Sequence, residues 1–95
     1  GGKSPHHLAV TPDGKEVWIT NHRSGDVTVI DTARREEVAR IPAGKAPHHI
    51  AFSRDGRRAY VANNESGDIT VIDVAARRDL GQIPAGRGLH GVAVR

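Results

Sequence analysis

The chain has 95 residues, a formal charge of +3, 37% hydrophobic residues and three aromatic side chains, Trp18, Phe52 and Tyr60. With so few aromatic residues any core is expected to rest on Val, Ile, Leu and Ala, and the absence of cysteine excludes disulfides and thiolate metal sites. Its length suits one small domain burying roughly 60–65% of its unfolded surface; no apolar run approaches the roughly 20 residues of a membrane span, and the mild positive balance is a solubility feature.

Taken in chain order, Lys3 to Gly44 lies without a gap over Lys45 to Gly86, with 21 identities in 42 positions, and Arg87 to Arg95 starts the unit a third time. Self-similarity at such a period marks a repeat architecture whose units bury their apolar faces against one another. Within the first unit the apolar residues alternate as half-buried strands require: Leu8 with Val10, Val17 with Ile19, Val27 with Val29, then Val38 and a weaker Ile41. The second unit repeats this with Ile50 and Phe52, Ala59 and Val61, Ile69 and Val71, Leu80 and Ile83. Four strands per unit are expected.

The punctuation between strands agrees. Pro12-Asp13-Gly14 and Arg54-Asp55-Gly56 suit tight hairpins in which Gly supplies a positive φ. Ser24-Gly25-Asp26 and Ser66-Gly67-Asp68 close the second connection, and the third runs from Asp31 to Glu36 and from Asp73 to Arg78. Pro42-Ala43-Gly44 and Pro84-Ala85-Gly86 lead into the next unit, and Thr32 to Glu37, the one helix-tolerant patch, reads as a polar turn.

Four-stranded antiparallel sheets repeated every 42 residues predict an all-β chain of β-propeller blades. The first blade is expected at residues 3–44, the second at 45–86 and the first strand of a third at 87–95. The run Pro47 to Asn64 followed by Ser66 to Asp73 resembles the YVTN family of β-propeller repeats. The tetrad that names the family falls within Val17-Trp18-Ile19-Thr20-Asn21 in one copy, at its last four residues, and at Tyr60-Val61-Ala62-Asn63 in the other; Trp18 and Ala62 depart from it but keep strand character.

The resemblance implies rings of about seven blades, with each unit's first strand innermost and its start on a loop face where propellers bind ligands. It also implies a periplasmic or extracellular setting. Two blades would leave outer faces and strand edges uncovered. Completion is expected either from the remainder of a longer propeller or from a homo-oligomer, a trimer closing six blades or a tetramer closing eight; an engineered repeat is the third possibility. The chain contains no methionine and opens on Gly1, so it reads as a processed or excised piece.

Five of the six histidines recur at one place in the repeat: His6, His7, His48, His49 and His90. Neutral imidazole is the commonest ligand for zinc, copper, nickel and iron, so these are the candidate metal ligands. Neighbours on a strand point to opposite faces, however, so one doublet cannot easily chelate one ion and the blades would have to cooperate. The competing role is architectural, with Pro-His-His opening the strand.

A second constellation, Lys15, Arg34, Arg35, Arg54, Arg57, Arg58, Arg77 and Arg78, falls in or beside turns expected on the opposite face. Glu36, Glu37, Asp55 and Asp79 dilute it and no aromatic ladder accompanies it, so nucleic-acid binding is not expected. Asp13, Asp26 and Asp31, with Asp55, Asp68 and Asp73, recur where turns need side-chain caps; no acid stands apart from the repeat as a catalytic group would. The expectation is therefore a non-enzymatic propeller module that presents loop faces to a partner. The alternative, implied by the similarity of YVTN propellers to haem d1-binding and quinone-associated periplasmic proteins, is a redox propeller holding a metal or haem on the histidines.

Overall fold

A computed structural model describes residues 5–84, in which all regular structure is strand. One antiparallel sheet has the order β1 (Pro5–Val10), β2 (Glu16–Asn21), β3 (Asp26–Asp31), β4 (Glu36–Pro42). The other has the order β5 (Pro47–Phe52), β6 (Arg58–Asn63), β7 (Asp68–Asp73), β8 (Arg78–Pro84). Each sheet is a meander, and the eight strands fall where the alternation placed them. The strand expected at 87–95 lies outside the described residues.

The hairpins form because their sequences suit them. In the first, the Gly14 N–H donates to Thr11 O at 2.8 Å and the Thr11 N–H to Glu16 O at 2.9 Å, with Gly14 at φ 75°. A side chain is disfavoured at that φ, which is why glycine stands there and at Gly56. The patch from Thr32 is a turn, as read, and β4 begins at Glu36. Its fourth residue, Arg35, and the equivalent Arg77 both adopt φ 55°.

Register fixes which residues share a face. Ala9 pairs with Trp18, Trp18 with Val29 and Val29 with Ala39, so these lie on one side of the first sheet, with Val27 and Ile41 two residues along. That side packs on the second sheet's Ile50, Ala59, Val61 and Ile72 to make the core. Trp18 is fully buried, and its indole meets the Phe52 ring edge-on with centroids 5.4 Å apart. Each fully buried Val or Ile side chain here contributes roughly 1.5–3 kcal/mol. The sheets meet mainly through β1 and β2 against β5 and only slightly at β4 and β8, so they fan apart from the first strand outward.

The fourth strands depart from the sequence reading. A register shift opposite Val29/Ile30 makes Val38 the extra residue of a bulge, and Ile41, expected to be the weaker partner, is 2% exposed in the core. The same shift in β8 falls at Leu80, and Leu80 and Ile83 are both exposed. Bulges twist these outer strands and blunt their edges against unwanted pairing.

Candidate functional site: the histidine face

The start of each first strand carries the histidines, and here too a bulge intervenes. Pro5 pairs with Asn21 and His7 with Thr20, so His6 is the extra residue; His48 occupies the same place between Pro47 and His49. Simple alternation along the strand therefore does not apply to these doublets. Across the two sheets the rings pair in register, His6 with His48 at a centroid separation of 4.1 Å and His7 with His49 at 4.2 Å, both tilted. His22, at the β2–β3 connection, brings a third ring to 5.8 Å from His6. The His7 N–H donates to Thr20 Oγ1 at 3.0 Å, which fixes the backbone beneath the ring. Burial, then the neighbouring imidazoles of His49 and His6, holds the His7 imidazole below its ordinary value.

Four of the five candidate ligands are thus brought together as two pairs, and His90 lies outside the described residues. Among the described residues no group of three or more His, Asp or Glu side chains is placed to hold a metal ion. A zinc centre takes three or four protein donors, so either pair of rings would need further donors to hold one.

Beside the histidines the β2–β3 connection, the β4–β5 connection and the β6–β7 connection surround an open depression of about 680 Å³ lined by His22, Arg23, Lys45, Glu65 and Asp68 among others. Its floor is a polar clasp between the sheets. The Gly44 N–H donates to Asn63 Oδ1 at 3.1 Å and the Lys45 N–H to Ser66 Oγ at 3.1 Å. Asn63 in turn donates through Nδ2 to Asp68 Oδ1 at 2.9 Å and to Thr70 Oγ1 at 2.8 Å. A Cβ on Gly44 would come within 2.7 Å of Asn63 and of Ser66 Oγ, so the approach requires glycine. Asn21 repeats the Asp26 and Thr28 bonds at 2.8 Å each, but its buried Oδ1 has no hydrogen-bond partner among the described residues.

The clasp was not foreseen from the sequence. Its signal was the identity of Asn, Asp and Thr at matching places in both copies, which turn chemistry explains for the Asp alone.

The opposite face gathers the β1–β2 and β3–β4 turns with their second-sheet equivalents, as expected, around a depression of about 510 Å³ that includes Lys15, Arg57, Arg58 and Arg77. Acids are interleaved with these bases. Arg77 pairs with Glu16 across the sheets, Glu16 also accepts from Trp18 Nε1 at 3.0 Å, and Arg58 lies 3.5 Å from Asp73.

The repeated aspartates are engaged in their turns. Asp13 accepts from the Lys15 N–H at 3.0 Å and the Thr11 hydroxyl at 2.7 Å, and these bonds hold its carboxyl below the usual range. For Asp55 the Ser53 hydroxyl at 2.7 Å and the Arg57 N–H at 3.0 Å do the same. Asp26 and Asp68 accept from Ser24 and Ser66 as well as from the clasp asparagines, and Asp31 and Asp73 cap the following turns. No helix among the described residues is long and apolar enough to cross a membrane.

Solved structures share this arrangement. Hydrazine synthase from Kuenenia stuttgartiensis is 27% identical with a TM-score of 0.89, covering 93% of this chain and 25% of that one. A dihydro-haem d1 dehydrogenase, NirN, solved in complex with DHE, is 27% identical with a TM-score of 0.83, covering 97% of this chain and 21% of that one. The WD40 repeats of RRP9 are 18% identical with a TM-score of 0.81, covering 93% and 28%, and show likeness of fold alone. The chain therefore spans about a quarter of these structures. No curated protein matches it. Its two fanned meanders are propeller blades, and the family described as "Lactonase, 7-bladed beta-propeller" matches residues 1–85, so the chain belongs to that seven-bladed β-propeller family.

Proposed function

We propose that this chain is a non-enzymatic, YVTN-type propeller module that works within a closed ring, made with further copies or within a longer propeller, and presents its loop faces for binding. One observation carries the reading: the repeated aspartates, the groups best suited to acid–base work, are bound into their own turns in both blades. A carboxylate held this way is a poor proton acceptor, because hydrogen bonds stabilise its charged form. The family's name points to lactone hydrolysis, and that is the activity to test. Purified chain incubated with a series of aldonolactones should hydrolyse them no faster than buffer does. Saturable turnover that is lost in Asp55→Asn would overturn the reading.

A second reading is favoured by the in-register imidazole pairs and the 27% identity to the dihydro-haem d1 dehydrogenase. In it the histidine face takes a metal or haem through His6, His7, His48 and His49, with His90 as a fifth candidate. The described residues supply pairs of donors rather than a complete set, so further donors would have to come from outside them. Metal analysis and a haemin titration followed by absorbance separate the two readings. The module reading expects colourless, metal-free protein with no saturable Soret change; stoichiometric metal, or a Soret shift lost in His6→Ala/His48→Ala, would favour the second.

A further inference from the structure

The joint between the two blades is a template for two surfaces left open among the described residues. Its front half is Trp18, Val27, Val29 and Ile41 on the first sheet, and its back half is Ile50, Ala59, Val61 and Ile72 on the second, each 3% exposed or less. Moved by one repeat, the back half becomes Leu8, Val17, Ile19 and Ile30 on the first sheet, and the front half becomes Tyr60, Ile69, Val71 and Ile83 on the second. All eight are apolar or aromatic. Leu8 is 61% exposed where Ile50 is 3%, and Ile83 is 47% exposed where Ile41 is 2%. Each chain thus carries both halves of a joint it already makes once.

We propose that the open back of the first blade is covered by the open front of the second blade of another copy of this chain, head to tail. This rests on the ring-module reading above and names its partner. The joint is heterologous, so successive copies close a ring or grow a filament according to the angle between blades.

The same comparison predicts a defect in that joint. Between the two blades Arg77 pairs with Glu16, which also holds the Trp18 indole. One repeat away Glu16 becomes Arg58 and Arg77 becomes Arg35, whose turn has the same φ of 55°. A copy-to-copy joint therefore sets Arg58 opposite Arg35, and like charges oppose what the apolar layer favours. Association should be weak at low salt and strengthened by screening.

The test is sedimentation velocity on the 95-residue chain at low and high salt, with three variants. Arg58→Glu restores the acid present at the equivalent place and should raise the association constant roughly fivefold at low salt, while weakening its salt dependence. Leu8→Lys, at an exposed site, should give monomers whose far-UV circular dichroism is unchanged; Arg23→Glu, on the loop face, should associate like the parent chain. Parent protein that stays monomeric at high salt with native dichroism would overturn the proposal and leave the rest of a longer propeller as the occupant. Association indifferent to both Arg58→Glu and Leu8→Lys would overturn it too. Lactone turnover or haem binding would sink the module reading without changing these masses, so the two failures are separable.

Discussion

Single residues here act through the hydrogen bonds they complete, and the paired asparagines show it. Asn63 is fully buried and joins Gly44, Asp68 and Thr70, whereas Asn21 makes only the latter two types of bond among the described residues. Asn63→Ala should cost about 2–3 kcal/mol, since it strands the Gly44 N–H, while Asn21→Ala should cost about 1 kcal/mol less. Urea midpoints of the two variants compare them directly, and equal losses would contradict the assigned role of Gly44. The His7 imidazole supplies a pH dependence. Its folded value is depressed by burial and by His49 and His6, so below the unfolded value of about 6.5 the unfolded chain binds more protons. The stability linked to His7 is complete above that value and is lost as pH falls below it toward the folded value. Urea midpoints should drop between about pH 7.5 and about pH 5, and less so in His7→Gln. Stability that rises on acidification would contradict the assignment. The depressed Asp13 and Asp55 carboxyls act in the same direction only at lower pH, their contribution being lost as pH falls below the unfolded value of about 3.9.

At the level of strands and connections, most of the sequence was legible because each blade repeats its turn chemistry. Asp13-Gly14 and Asp55-Gly56 specify hairpins through local bonds alone, and alternation locates β2, β3, β6 and β7, but it does not say which face enters the shared core: β2 buries Trp18 there rather than Val17 and Ile19, and β7 buries Ile72 rather than Ile69 and Val71. What escaped was set by register between strands. The bulges at His6, Val38 and their equivalents shift pairing by one residue, and nothing local in Pro-His-His or Glu-Val-Ala marks them. That is why Ile41 rather than Val38 enters the core, and why the histidine doublets do not alternate simply. The Gly44 clasp was hidden for a related reason, since it joins residues 19 apart that alignment alone treats as turn signals. Gly44→Ala tests whether this connection fixes the second blade. Its Cβ would meet Asn63 and Ser66 at 2.7 Å, so one of them must move and the Gly44 bond is lost. A cost of about 1–3 kcal/mol is expected, with faster amide exchange at Gly44 and Lys45 measured by NMR. Unchanged protection at those two amides would show that the loop tolerates the methyl.

For the whole molecule, the distribution of apolar surface makes the two blades one cooperative unit. Neither sheet buries its apolar face alone: Trp18, Val27, Val29 and Ile41 are covered by Ile50, Ala59, Val61 and Ile72, and the reverse. Trp18 is the sole tryptophan and belongs to the first blade, so its emission reports on that blade directly. Ile50 belongs to the second blade and is 3% exposed. Ile50→Ala removes buried methylenes from the shared layer and should cost about 2–5 kcal/mol. If the layer couples the blades, that loss appears in full in the Trp18 fluorescence transition, and its midpoint coincides with the one followed by far-UV circular dichroism. A fluorescence midpoint that stays at the parent value while the dichroism transition shifts or splits would mean that the first blade folds independently of the second. Coincident, shifted transitions are expected, because the residues that would hold either blade together alone are the ones that hold the pair.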